Sequence, residues 1–219
     1  MILSIDSATR WAGLALHDGR FIVAESGWQC NNNHTIALTP AIGEMLARAD
    51  ITPADLEAIA IAKGPGSYTG LRVGMALAKG MAYANRTALI GVPTLDIVAA
   101  GFGPMQGQLV AVASAGRTRI CTAVYQWKKR YGWQSDQTPV IETWDELLDR
   151  LDAPSTIAGE ITVEAAKKIR THEGSFKIAS PAASMRRAGH LAEIGWRRLR
   201  RGQTDDPASL APIYLNRLT

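Results

Sequence analysis

Ile2-Leu3-Ser4-Ile5-Asp6-Ser7-Ala8-Thr9-Arg10-Trp11-Ala12-Gly13-Leu14-Ala15-Leu16-His17-Asp18-Gly19-Arg20-Phe21-Ile22-Val23-Ala24 reads as three short strands joined by tight turns. Ile2 to Ile5 is apolar and carries β-branched residues, which suit a pleated surface. Trp11 to Leu16 resumes after the polar turn Ser7-Ala8-Thr9-Arg10. Phe21 to Ala24 follows Asp18-Gly19, a pair that tolerates positive φ and marks a hairpin.

Outward from this meander, a helix is predicted from about His34 to Ala49, with Leu38, Ile42, Met45 and Ala49 at helical spacing. Pro40 falls inside it, so the first turn is expected to be irregular or kinked. Thr52-Pro53-Ala54-Asp55 has the composition of a helix start: Thr as cap, Pro at the first position, Asp bonding back. A strand over Ala58 to Ala62 leads into the tight loop Gly64-Pro65-Gly66-Ser67-Tyr68-Thr69-Gly70 and a helix from Leu71 to about Ala84. A strand over Ala88 to Val92 and a helix from Leu95 to Ala100 complete the first half. This order, three meandering strands and then helix-separated strands, is that of the ribonuclease H-like half of actin-type folds.

Gly101 to Gly107, with three glycines and a proline, marks the expected boundary between lobes spanning 1–101 and 102–219. The second half begins like the first, with strands over Leu109 to Ser114 and Thr118 to Gln126 and a turn over Trp127 to Trp133. Helices are predicted at Thr143 to Leu151, Thr162 to Arg170 and, longest, Ala182 to Arg201. Short strands fall near Thr156 to Ala158 and Phe176 to Ile178, and Ile213 to Leu215 is a last extended piece. The predicted class is α/β, an actin-like two-lobed fold whose second lobe is a degenerate echo of the first.

The chain's 219 residues are 47% hydrophobic and 20% charged, a globular composition that excludes disorder and collagen-like repeats. No uncharged apolar run approaches the ~20 residues of a membrane span, and the start is not built like a signal peptide. Cys30 and Cys121 lack metal-ligand spacing and are too few for a disulfide scaffold. A cytoplasmic protein is expected. The net charge of +4 is uneven: residues 1–100 hold seven Lys/Arg against eight Asp/Glu, residues 101–219 seventeen against twelve. Arg186, Arg187, Arg197, Arg198, Arg200 and Arg201 fall in one stretch, which permits contact with an anionic partner such as RNA. A plain solvated, cationic helix end is the favoured reading, since bases near a helix C-terminus suit its dipole.

The glycine-rich loop 64–70 could present backbone N–H groups to an anion. It is not a Walker A loop, having no Gly-Lys-Ser/Thr, and it misses the dinucleotide fingerprint because Thr69 stands in the third glycine's place. Asp6-Ser7-Ala8-Thr9 sits where actin-type phosphotransferases place a phosphate turn, yet the same residues favour a plain hairpin turn. The matching turn of the second lobe, Ser114-Ala115-Gly116, has no carboxylate, which weighs against an ATP kinase. None of His17, His34, His172 and His190 lies three or four residues from another, so a helical zinc pair is missing. No Gly-x-Ser-x-Gly elbow occurs. No catalytic, metal or cofactor residue is therefore assigned.

The helices carry more information. The 71–84 helix is charged only at Arg72 and Lys79, and the 34–49 helix only at Glu44 and Arg48. A helix lying on one sheet needs an apolar stripe only somewhat over ~100° wide, and these have far more. Either both helices are buried within this small lobe or they form a partner interface. With no other long helix in the first lobe to cover them, the interface is the favoured reading, assigned to Ile42, Met45 and Ala49 of the first helix and Gly74, Met75, Ala78, Met81 and Ala82 of the second.

Ile5-Asp6-Ser7-Ala8-Thr9, His34-Thr35, Lys63-Gly64-Pro65-Gly66-Ser67-Tyr68-Thr69-Gly70-Leu71-Arg72-Val73-Gly74, Gly91-Val92-Pro93-Thr94-Leu95 and Pro212-Ile213-Tyr214-Leu215-Asn216-Arg217 together resemble the TsaB family. The glycine-loop stretch is the specific part; the others support it through order and spacing. The resemblance implies an actin-like fold and a role in making threonylcarbamoyl-adenosine beside the anticodon of tRNA. It implies a noncatalytic subunit that pairs with catalytic TsaD through the first-lobe helices, is joined by the ATPase TsaE, and self-associates when alone. Contact with tRNA would come mainly through the complex. One stretch departs from the family: Ser114-Ala115-Gly116-Arg117-Thr118-Arg119-Ile120-Cys121 replaces a typical Asp-Ala-Arg and Gly-Glu-x-Tyr, with Arg119 in an acidic residue's place. The alternative is a stand-alone actin-like small-molecule phosphotransferase. A metallopeptidase, the third reading, would need the paired histidines that are missing.

Overall fold

The computed structural model describes residues 1–30, 34–116 and 118–215. They group into two compact units, Met1–Ile97 with Arg187–Ile213, and Val98–Arg186 with the chain end from Tyr214. The first boundary falls near the expected one. The expected 102–219 lobe, however, does not keep residues 187–213, which belong with the first unit.

The first unit is built on a five-stranded sheet of β1 (Ile2–Asp6), β2 (Trp11–His17), β3 (Ile22–Gln29), β4 (Ala58–Ala62) and β5 (Ala88–Val92), ordered β3-β2-β1-β4-β5. The meander pairs antiparallel, and β1-β4 and β4-β5 pair parallel. β3 runs five residues past Ala24 because it pairs along the whole of β2. Period-2 alternation gives the sheet two unlike faces. One carries Leu3, Ile5, Leu14, Leu16, Ile59, Ile61 and Leu89, and receives α1 (His34–Arg48) and α2 (Tyr68–Asn85). α1 runs through Pro40 without ending there. The predicted start at Thr52 makes only one 3-10 turn, Pro53–Asp55, closed by the Thr52–Asp55 capping box.

The other face carries the small residues Ser4, Gly13, Ala15, Ala58, Ala60 and Ala62, with Ile2, Ile90 and Val92 beside them. Its cover comes from the far end of the chain. The long helix expected over 182–201 is two helices, α6 (Pro181–Ser184) and α7 (Ala188–Leu199), separated by extended backbone at Met185 and Arg187. α7 lies on the small-residue face. A Cβ on Gly195 would stand 2.7 Å from the Ala60 Cβ, and one on Gly13 3.2 Å from that of Ala188. The Ser4 hydroxyl donates to the Ala188 carbonyl at 2.8 Å. Close approach of this kind needs small residues on both sides, which is why α7 belongs to this unit. Beyond it, the Asp205 N–H donates to the Leu89 carbonyl and Leu210 buries against Gly91, so the chain end covers edge strand β5.

α3 (Thr94–Ala100) leads out of the first unit. The second unit holds β6 (Gln108–Ser114), β7 (Ile120–Lys128), β8 (Gly132–Gln134), β9 (Val140–Glu142), β10 (Ser155–Gly159) and β11 (Phe176–Ile178), with α4 (Trp144–Arg150) and α5 (Val163–Thr171). The sheet order is β11-β10-β6-β7-β8, with β9 also on β7. β6-β7 is antiparallel; β6-β10 and β10-β11 are parallel. This repeats the β2-β1-β4-β5 pattern of the first unit, so the echo read from the sequence is real. The core gathers Val110, Val112, Leu147, Leu148, Ile157 and Ile169. β9 is an element the sequence reading did not resolve, and Trp127 and Trp133 sit on paired strands rather than in a turn.

Candidate partner-binding surface

The glycine loop packs on the turn after β1. A Cβ on Gly66 would stand 2.1 Å from the Ala8 carbonyl oxygen, and one on Gly74 2.1 Å from Ser7 Oγ. The Ser67 N–H donates to the Ala8 carbonyl at 2.6 Å, and Ser7 Oγ donates to the Gly70 carbonyl at 2.8 Å. Ser67 Oγ caps α2 by accepting from the Gly70 N–H. Asp6 and Ser7 are fully buried, with Asp6 Oδ1 accepting from the Ala8 N–H at 2.9 Å. From behind, the Ile213 N–H donates to the Lys63 carbonyl, and the Ile213 carbonyl approaches Gly64, whose φ of +106° glycine alone holds without strain. Glycine here lets the loop, the β1 turn and the chain end close on one another.

In the second unit the turn after β6 does meet a carboxylate, brought by Glu160 after β10. Glu160 Oε2 accepts from the Ser114 N–H at 2.9 Å and Oε1 pairs with Arg186 at 3.2 Å, the Arg186 side chain being 3% exposed. Sequence reading missed Glu160 because it lies 46 residues from Ser114. Arg117 and the Asn216-Arg217 ending lie outside the described residues.

The arginine stretch is largely spent on the fold. Arg186 pairs with Glu160, Arg187 with Glu25, and Arg198 with Asp205 at 3.1 Å and the Gly91 carbonyl at 2.7 Å. Arg200 lies over the Trp196 ring. Arg186 is buried and Arg198 half-buried, whereas Arg187, Arg197, Arg200 and Arg201 stay exposed.

The predicted interface residues lie mostly inside the first unit. Ile42, Met45, Gly74, Met75, Ala78 and Ala82 are buried, and Ala49 and Met81 are half-buried against the same core. This corrects the assignment made from the sequence. The two helices cover each other and the large-residue face of the sheet, so the stripe holding these residues is the inward one.

The excess apolar circumference falls on the opposite side. On α1 the exposed residues include Ile36, Pro40, Gly43 and Ala47; on α2 they include Arg72, Ala76, Gly80 and Tyr83. Spacings of three and four put each set on one stripe. Ile36 is 76% and Tyr83 88% exposed, and a Cβ on Gly43 or Gly80 would meet nothing within 4 Å. Arg72 stacks over Tyr68 at 4.4 Å, and Glu44 and Arg48 pair with each other. What faces outward is a two-helix layer of small residues flanked by two bulky ones. It is shaped to accept further helices at close range.

These features define a protein of the actin-like α/β class with a closed β1 turn and an uncovered helical layer. A family model described as TsaD, tRNA N6-adenosine threonylcarbamoyltransferase, matches residues 28–200. The tRNA threonylcarbamoyladenosine biosynthesis protein TsaB of Bacillus subtilis is 31% identical over 98% of this chain and 93% of its own. The Escherichia coli protein of the same name is 30% identical over 64% of this chain and 61% of its own. The solved structure of YeaZ from Pseudomonas aeruginosa superposes with a TM-score of 0.79 over 98% of this chain and 99% of that one, at 20% identity. The chain belongs to the TsaB family.

Proposed function

We propose that the protein serves tRNA threonylcarbamoyladenosine biosynthesis as a noncatalytic subunit. It pairs with a TsaD-type catalytic subunit through the outward stripe of α1 and α2. A TsaE-type ATPase joins the pair, tRNA is engaged mainly through the complex, and the isolated chain self-associates through the same stripe. The observation that carries this reading is the exposed layer of Ile36, Gly43, Ala76, Gly80 and Tyr83, apolar and open, in a chain of this family. The closed packing of the Asp6 turn against the Gly66 loop argues in the same direction, since it disfavours a phosphotransferase site there.

The test is co-purification with the TsaD-type subunit of the same organism, scored for threonylcarbamoyl transfer to tRNA with and without this chain. Transfer that depends on a stable pair is expected. Ala76→Glu and Gly80→Arg, both at open positions, are expected to weaken the pair at least about tenfold, the cost of placing a charge against a packed helix. Pairing unchanged by both substitutions, or ATP turnover by this chain alone, would sink the reading. Gly74→Arg is unsuited to the test because Gly74 abuts Ser7 inside the fold.

A further inference from the structure

In the second unit, β7 and β8 form a hairpin whose tip, Lys128-Lys129-Arg130-Tyr131, is basic and aromatic. Tyr131 is 67% exposed, and the Arg130 guanidinium lies 5.6 Å from its ring centre. Lys128 pairs with Asp136 at 3.5 Å. Among the described residues neither Lys129 nor Arg130 pairs with a carboxylate. The tip is held firmly: Trp127 and Trp133 meet edge to face at 5.4 Å, Trp133 Nε1 donates to the Phe102 carbonyl, and Gln134 Nε2 donates to the Tyr131 carbonyl. Two cations without a carboxylate partner and an exposed ring thus stand on this support.

A cleft of about 300 Å³ opens at the base of the same hairpin. Gln126 and Gln134, direct cross-strand partners, line it with Gln108, Gln137, Asp136 and Arg150. Arg150 is held by Glu142 through two hydrogen bonds of 3.1 and 2.7 Å. The Gln134 amide nitrogen is occupied by backbone carbonyls, whereas the Gln126 amide has no partner among the described residues. A side-chain amide offers a donor beside an acceptor, the complement of a nucleobase edge. Tyr131 lies in the turn just before β8, three residues before Gln134, whose amide nitrogen reaches the Tyr131 carbonyl at 3.1 Å.

We propose that this hairpin and cleft form a binding site for unpaired RNA, with Lys129 and Arg130 on phosphates, a base stacked on Tyr131, and a neighbouring base in the amide-lined cleft. Cations with an exposed ring are the elements by which single strands are held. A duplex, whose bases are already stacked, cannot use the ring or the cleft. The choice of tRNA among RNAs rests on the function proposed above; recognition of an unpaired strand does not.

The test titrates the full chain, alone and paired with its TsaD-type subunit, against a labelled 17-nucleotide RNA stem-loop and a blunt RNA duplex of equal length, at several salt concentrations. Tighter binding of the stem-loop is expected. Tyr131→Ala is expected to weaken stem-loop binding about tenfold and Tyr131→Trp to keep it. Lys129→Ala with Arg130→Ala is expected to reduce the log–log salt slope by about 1.4, from roughly 0.7 per phosphate contact. Gln126→Ala is expected to weaken the stem-loop and spare the duplex. The inference is overturned by equal binding of stem-loop and duplex, by no stem-loop binding in either setting, or by loss only on replacing Arg197, Arg200 and Arg201. Pairing is measured on the same variants, so a failure of the pairing reading leaves the RNA result interpretable by itself.

Discussion

Gly74 and Gly80 lie on one helix and have opposite jobs. At Gly74 a methyl group would meet Ser7 Oγ at 2.1 Å inside the core, whereas at Gly80 it would enter open space. Gly74→Ala is expected to cost about 1–3 kcal/mol through overpacking. Gly80→Ala is expected to stabilise by about 0.5–1 kcal/mol by removing backbone freedom from the unfolded chain. Urea denaturation of the isolated chain checks both; Gly74→Ala without loss would show that the β1 turn yields. Cys121 makes a second residue-scale prediction. Burial, with the Glu160 carboxylate adding to it, pushes its thiol up to about 11 from 9.0. Because the folded value is the higher, the neutral thiol's contribution to stability is present below pH 9 and lost as pH climbs through 11. Iodoacetamide at pH 8 should therefore label Cys121 only after denaturant is added, and rapid labelling of the native chain would contradict its burial.

At the scale of elements, α7 shows how a helix is fastened to a sheet distant in sequence. Glu25 of β3 accepts from the Gly189 N–H at 2.9 Å and pairs with Arg187, so a carboxylate closes the first turn of α7. A negative charge there also suits the helix dipole. Glu25→Ala is expected to destabilise the first unit by about 1 kcal/mol, with Glu25→Gln intermediate. Arg187→Ala should cost less, since that side chain is largely exposed. Chemical denaturation of the three variants gives the ranking, and equal effects would mean that the ion pair rather than the helix start is what Glu25 serves. α1 and α2 show how far an amphipathicity argument reaches. Their surplus of apolar surface was legible as composition. Which stripe turned inward was not, because helical spacing assigns residues to faces without saying which face meets the sheet.

For the whole molecule, the division into units carries its own prediction. A fragment ending at residue 101 lacks α7 and leaves Ile2, Ala58, Ala60 and Ile90 uncovered. It is expected to be insoluble or unfolded, whereas residues 1–97 joined by a linker to 187–213 should give cooperative unfolding by circular dichroism. A folded, soluble 1–101 fragment would return α7 to the second lobe. The succession of strands and helices along the chain, the glycine loop and the second half's echo of the first were written locally, in alternation, turn residues and spacing, and the sequence by itself determined them. Tertiary structure alone decided four things: which helix stripe is buried, that Glu160 reaches Ser114, that three of six arginines are spent on ion pairs, and that α7 belongs to the first unit. Each depends on residues far apart in the chain meeting across a packed interior. Burial and pairing are properties of that meeting rather than of any one segment.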